Sequence, residues 1–577
     1  MFSAGTLLAT SSDLHRASVV PTTLAERLML RLRTLLSLVA SLLALSACER
    51  AELPCTGCGT AVVAAVGEPS SILPPLVFET VGRDIGDLIF ERLADLEAGG
   101  SPVDTGAFVP RLASRWERLD SLTWRFHLRR DARWQDGRPV TAEDVRFSFE
   151  AFADSVLDAP ARLSLVDRVT VQVEDSRTVI VRFAEPSPEQ LYDATFHVRI
   201  IPAHVWSGVP RNTWAADTGS QRIIGSGPYR LRRWKRGQHL VLEADTTGVR
   251  RPHIGRLVWR FTGNPDAALN LVLSGEADLL ETVGGPQNAS RFEGDTLFEL
   301  RSYPAAMYGF LAFRVADHGG RAHPLFGNRD LRRALSSGVD RSTVAKALFG
   351  AASAAPNGPM SQLLWINDQK VAVLPFDTAA ASRLLEESGW HLTASGLRMK
   401  GGQPLAFDIL VPSSSGMRKQ AAVMLQESWR RLGVRVSVTA VDFPVFQERI
   451  GKGQFDTYIG AYLDQPSARG LADGWTRAGW AGLNYGRYAN PVFDSLLDRA
   501  GRQSDPAAAK TLYRVALDTL NADAPALFLY APNTVAAVRR TFGRVRINPY
   551  SWISEIPDWT VTSPAQVLTT RTPSTKR

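Results

Sequence analysis

The sequence predicts a mixed α/β protein of two or three domains, and three observations carry that expectation. The chain has 577 residues, beyond the size at which a single apolar core keeps growing. Short runs alternate apolar and polar residues with the period of half-buried strands: Leu122, Trp124, Phe126 and Leu128, then Val169, Val171 and Val173, then Val179, Val181 and Phe183. Helical segments stopped by glycine lead into further strands, as where Gln420 to Leu432 ends at Gly433 before Val434, Val436 and Val438. Helix, glycine and strand in repetition is the grammar of an α/β domain.

Composition narrows the class. Hydrophobic residues make up 45% and charged residues 21% of the chain, the balance of an ordinary globular protein. The formal charge of +8 is spread without a dense basic run, so no nucleic-acid partner is expected.

The N-terminal stretch reads as a targeting signal. Met29-Leu-Arg-Leu-Arg33 is positive, and Leu35 to Leu45 is apolar but shorter than the roughly 20 residues that span a bilayer. Leu45-Ser-Ala-Cys48 then resembles the site at which bacterial lipoproteins are cleaved and acylated on cysteine. Residues 1–47 are therefore expected to be a lipoprotein signal peptide, with Met29 an alternative start, and residues 48–60 a tether lipidated at Cys48. Only three cysteines exist. Cys55 and Cys58 have redox or zinc spacing, but a zinc site needs four ligands and no second pair is present. A local disulfide in an oxidising compartment is the other option.

Taken in order, Ala61–Val66 is a short buried strand leading into the loop Gly67-Glu68-Pro69-Ser70-Ser71, and Asp84 to Leu93 is helical in pattern. After the strand at 122–128, Asp136-Gly137 predicts a turn. Thr141 is placed as an N-cap, with Glu143 and Asp144 in the first turn where the helix dipole favours anions. Val145, Phe149 and Phe152 form the apolar face of that helix. Proline and glycine cluster near 208–228 and mark a boundary. Short helices are expected around Leu331 and Leu335 and around Val344 and Leu348, followed by one capped by Asp377 and ended by Gly389. Trp116, Trp124 and Trp134 read as core. Trp475 and Trp480 stand in a glycine-rich stretch and divide evenly between cleft wall and surface packing. H-E-x-x-H, G-x-S-x-G and P-loop patterns are absent, and Gly225-Ser-Gly227 lacks the third glycine of a dinucleotide loop. The nine histidines show no ligand spacing. No catalytic residue, metal site or cofactor is expected.

One long run carries a family resemblance. From Trp124 to Glu150 the chain reads W-R-F-H-L-R-x-x-A-x-W-x-D-G-x-P-V-T-A-E-D-V-x-F-S-F-E. This resembles the internal motif of family 5 extracellular solute-binding proteins, the oligopeptide-, dipeptide- and nickel-binding receptors of bacterial ABC importers. Phe90-Glu-Arg-Leu93, Ile201-Pro-Ala-His-Val-Trp206, Gly225-Ser-Gly-Pro-Tyr229, Tyr308–Phe313 and Asn490-Pro-Val-Phe-Asp-Ser-Leu496 extend the resemblance over roughly residues 60 to 550.

The resemblance implies a bilobal periplasmic-binding-protein type II fold with an extra inserted domain, the lobes joined by a hinge near Tyr303 and Tyr530. Domain I would comprise residues 61–95, 215–302 and 529–577, domain II the inserted residues 96–214, and domain III residues 303–528. The implied function is capture of a peptide or peptide-like solute for a membrane permease by a monomeric, lipid-anchored receptor on the periplasmic face of the membrane or the cell surface. A metal chelate, opine or oligosaccharide, or a purely sensory role, is the alternative. The implied ligand contacts are Glu68, Ser70, Tyr308, Tyr462, Asp464, Trp475, Trp480 and Asn484. In many peptide-binding relatives the cleft strand carries an aspartate that pairs with the peptide's ammonium. Aligned on Pro466, that position is Tyr462 here, with Asp464 two residues on. A phenol cannot neutralise an ammonium, so the resemblance stops short of a free peptide N-terminus as the anchor.

Overall fold

The computed structural model describes residues 58–216, 220–350 and 353–561. The expected signal peptide, Cys48 and Cys55 lie outside them. The described residues all belong to one compact unit. Among the described residues no helix is long and apolar enough to cross a membrane.

Three sheets organise the chain. A seven-stranded sheet takes strands from separated stretches, in the order Phe298–Pro304, Asn533–Arg539, Leu279–Leu280, Cys58–Val66, Ile254–Thr262, His239–Ala244 and Tyr229–Lys235. Cys58–Val66 runs parallel to both its neighbours, and the remaining pairs are antiparallel. This strand begins earlier than the apolar run at Ala61 suggested, because Cys58 already pairs with Ile254. An antiparallel four-stranded sheet, Ala113–Arg118, Thr123–Leu128, Thr178–Phe183 and Val169–Asp175, lies between the first two contributions to that sheet. A five-stranded sheet follows, in the order Arg435–Val441, Ala406–Pro412, Thr457–Leu463, Met307–Phe313 and Ala526–Tyr530.

The expected alternation holds from Trp124 to Leu128, with Trp124, Phe126 and Leu128 buried and Arg125 and His127 half-exposed, but not at its start, where Thr123 is buried and Leu122 only half-buried. Thr141 is the N-cap of helix Ala142–Ala153. Asp144 does more than meet the dipole. Its Oδ2 accepts from the Thr141 backbone N–H at 2.8 Å and hydroxyl at 2.9 Å, and its Oδ1 accepts from the Ala203 N–H at 2.8 Å. The helix is buried on two sides, which the single predicted face did not anticipate. Val145, Phe149 and Phe152 enter the core of the four-stranded sheet, while Phe147 and Ala151 enter that of the seven-stranded sheet. One helix thereby fuses both sheets into a single lobe.

The five-stranded sheet is the centre of the second lobe and is covered on both faces. Leu311, Phe313, Ile409, Val411 and Ile459 point to one core; Phe310, Ala312, Leu410 and Tyr458 point to the other. Strands buried on both faces read as continuous apolar runs, as Met307–Phe313 does. Among the described residues no apolar cluster draws on both lobes. The chain crosses between them after Phe298–Pro304 and returns after Ala526–Tyr530. The two crossings are tied by the Ala305 N–H donating to the Pro532 carbonyl at 2.9 Å. Beside them Gly309 lies under Tyr530: a Cβ there would sit 2.0 Å from the ring.

The G-S-G-P-Y element has a packing role. Added Cβ atoms at Gly225 and Gly227 would lie 1.8 and 2.6 Å from the carbonyl oxygens of Ile89 and Leu88 respectively. The Gly227 N–H donates to the Ile89 carbonyl at 2.8 Å. Only glycine permits that backbone crossing.

Candidate functional site

The second lobe contains an aromatic cluster. Strands Met307–Phe313 and Thr457–Leu463 run antiparallel with Tyr308 directly opposite Tyr462, and their rings meet edge to face at 6.0 Å. Trp475 ends the short helix Gly470–Trp475 and is buried, its indole N–H donating to the Tyr308 hydroxyl at 3.1 Å. The glycine-rich stretch around it is thus ordered helix rather than loop, because its glycines serve close packing. A Cβ at Gly474 would touch the Tyr462 ring at 3.3 Å, and one at Gly479 would fall 2.3 Å from the Asp473 carbonyl oxygen.

Tyr462 donates to the Leu483 carbonyl. Buried Asn484 donates to the carbonyls of Thr476 and Tyr488, both at 2.8 Å. Tyr462, Trp475 and Asn484 line one small pocket together with Tyr458, Leu483 and Tyr488. Trp480 stands beside this group, donating to the Tyr488 carbonyl at 2.8 Å and covered by the Arg477 guanidinium 3.6 Å from its ring.

Glu68 and Ser70 belong to the other lobe. Glu68 accepts from the Trp234 indole N–H at 2.6 Å and the Gly237 N–H at 2.7 Å. The Ser70 N–H donates to Glu79 at 3.3 Å, and its carbonyl accepts from Arg236. Both residues therefore staple the loop after the first strand to the hairpin at 229–244. The structure brings Tyr308, Tyr462, Trp475 and Asn484 together and places Glu68 and Ser70 apart from them.

Asp464 differs from the rest of the set. It stands just past strand Thr457–Leu463 and accepts from the Ser361 N–H. Burial pushes its carboxyl up to about 6.

Two further carboxyls share that character. Asp84, in helix Thr80–Ile89, is only 2% exposed and accepts from the Ser551 hydroxyl at 3.3 Å. Burial, then the charge of Glu281, pushes it well up. Glu281 directly follows strand Leu279–Leu280, and burial raises it to about 7 against the opposing pull of Arg83. Among the described residues none of these three carboxylates forms an ion pair within 4.0 Å. The loop at 548–551 joins the constellation, since Ser551 touches Asp84 while the Asp464 charge raises the neighbouring Tyr550 phenol, after burial. Among the described residues, the hydroxyls of Tyr550 and of fully buried Tyr192 have no hydrogen-bond partner. Asp84 and Glu281 feel the charge of Arg83 without a close ion pair among the described residues, and a further cationic group beside any of the three carboxyls would be favourable.

The sequence profile of the bacterial extracellular solute-binding proteins, family 5 (middle region) matches residues 107–479. The chain belongs to this family. Protein XP55 of Streptomyces lividans is 28% identical over 476 residues, covering 81% of this chain and 82% of that one. The oligopeptide-binding protein AppA of Bacillus subtilis is 22% identical over 522 residues, covering 87% of this chain and 91% of its own. Its structure in complex with a nonapeptide superposes with a TM-score of 0.71 at 20% identity, over 88% of this chain and 100% of AppA. NikZ of Campylobacter jejuni in complex with Ni(L-His) gives a TM-score of 0.73 at 22% identity, over 87% and 99% of the two chains.

In this family 5 protein the sequence singled out Tyr308, Tyr462, Trp475 and Asp464 as expected ligand contacts, and Asp84, Glu281, Tyr192 and Tyr550 were not among them. Glu281 carried a usable signal, because it follows the carboxyl end of a strand that pairs in parallel, where α/β sheets place ligands. Asp84 and Tyr192 carried none, since only tertiary packing buries each of them, Asp84 in helix Thr80–Ile89 and Tyr192 in helix Gln190–Thr195, whose six residues are all buried.

Proposed function

We propose that this protein is the substrate-binding component of an ABC importer. It captures a peptide or peptide-like solute bearing a cationic group and delivers it to membrane permease subunits. The observation that carries this reading is the trio of desolvated carboxyls Asp84, Glu281 and Asp464 in a bilobal family 5 fold, none of them in an ion pair within 4.0 Å among the described residues, with Arg83 acting on the first two. Half-exposed Tyr462, backed by buried Tyr308 and Trp475, supplies apolar contact, and hinge motion at the two crossings encloses the solute. The three-domain division set out above accompanies this reading. So do the signal peptide at residues 1–47, a lipid anchor on Cys48, residence on the periplasmic face or cell surface, and a monomeric state. Capture and release, not turnover, is the chemistry proposed, which also fits AppA, described as oligopeptide-binding. Native mass spectrometry of the purified protein tests the reading. The expected result is a co-purified small molecule with a basic amine or guanidine, released on denaturation. Absence of any bound species, together with no calorimetric binding across a library of short basic and neutral peptides, refutes it.

A further inference from the structure

The two lobes share no apolar core among the described residues, yet one strip of the first lobe meets the second through polar contacts. Glu189 immediately precedes helix Gln190–Thr195 and is 1% exposed. Its Oε1 accepts from the Trp365 indole N–H at 2.6 Å and the Ala468 N–H at 2.8 Å, and its Oε2 accepts from the Ser467 hydroxyl. All three donors belong to the second lobe. Beside them the Arg469 guanidinium reaches Asp193 at 2.7 Å and the Ser187 hydroxyl at 3.0 Å, and Arg502 reaches Glu185 at 2.6 Å.

We infer that Glu189 is the centre of an interlobe latch that holds the closed state through hydrogen bonds and ion pairs alone. The inference rests on the hinge-closure reading above. Its physical basis is reversibility. An apolar lobe interface would expose hydrophobic surface on opening, whereas carboxylates and guanidiniums regain water. The gain on closing is small, so a bound solute can tip the balance. Both Glu189 oxygens are occupied, and its donors arise from two separate segments, at 365 and 467–468. The carboxylate thereby fixes the relative position of the lobes as well as their contact.

Hydrogen exchange of the purified protein tests the latch without requiring knowledge of the solute, so its failure is separable from failure of the transport reading. Glu189→Ala and Ser467→Ala alter opposite lobes. Each is expected to speed exchange on the order of tenfold in both strips, residues 185–193 and 465–469. The core strands Cys58–Val66 and Ala526–Tyr530 should stay protected, and the radius of gyration should rise. Faster exchange confined to the substituted strip would reduce the contact to local packing and overturn the inference. Loss of protection in the core strands, or no change in either strip, would overturn it equally.

Discussion

Replacing Asp464 by Asn isolates what the buried carboxyl costs the empty protein. Burial raises it from the ordinary 3.8 to about 6, a difference worth roughly 3 kcal/mol at about 1.4 kcal/mol per pH unit. The residue is half-buried rather than sealed, so solvent screening brings the working value to about 2 kcal/mol. Because the folded protein holds this proton more tightly than the unfolded chain, the stabilising contribution is complete below about pH 4. It is lost as pH rises through about 6. Asparagine stays neutral throughout and keeps a carbonyl oxygen for the Ser361 N–H. The variant should match the wild type near pH 4 and exceed it by about 2 kcal/mol at neutral pH, a rise of a few degrees in Tm. Thermal unfolding of both proteins across that range is the assay. For a captured basic solute the sign reverses, and the variant should bind about tenfold or more weakly through loss of a charge-assisted hydrogen bond. A stability difference that does not vary with pH, or a variant less stable at neutral pH, would refute the reasoning.

Three other outcomes are expected. Asp87→Asn should cost about 3 kcal/mol in chemical unfolding, because the change leaves buried Arg199 without its carboxylate at 2.6 Å, while Arg92 loses Asp87 at 2.9 Å but keeps Asp95 at 3.2 Å. Gly309→Ala should destabilise by more than about 2 kcal/mol, since its methyl would overlap the buried Tyr530 ring beside the crossing; an unchanged Tm would show that the ring can move aside. Cys48→Ala should release the protein from the membrane fraction, and full retention there would remove the lipid-anchor proposal.

The sequence by itself determined whatever depends on local periodicity and chain chemistry. Alternation placed the strand at 123–128, and Thr141, Asp377 and Gly433 marked helix ends, because caps and left-handed glycines act within a few residues. The long motif from Trp124 to Glu150 likewise fixed the family. Tertiary structure alone decided how helix Ala142–Ala153 is shared between two cores and why Gly225 and Gly309 must lack a side chain. It alone decided that Glu68 is consumed within its own lobe while Asp464 forms no ion pair among the described residues. Asp84 and Glu189 carry no local signal in the sequence, and the surroundings of Glu281 and Asp464 are no more legible there. Their character comes from desolvation and from partners more than a hundred residues away, and the free energy of a buried charge depends on surroundings that no local pattern encodes.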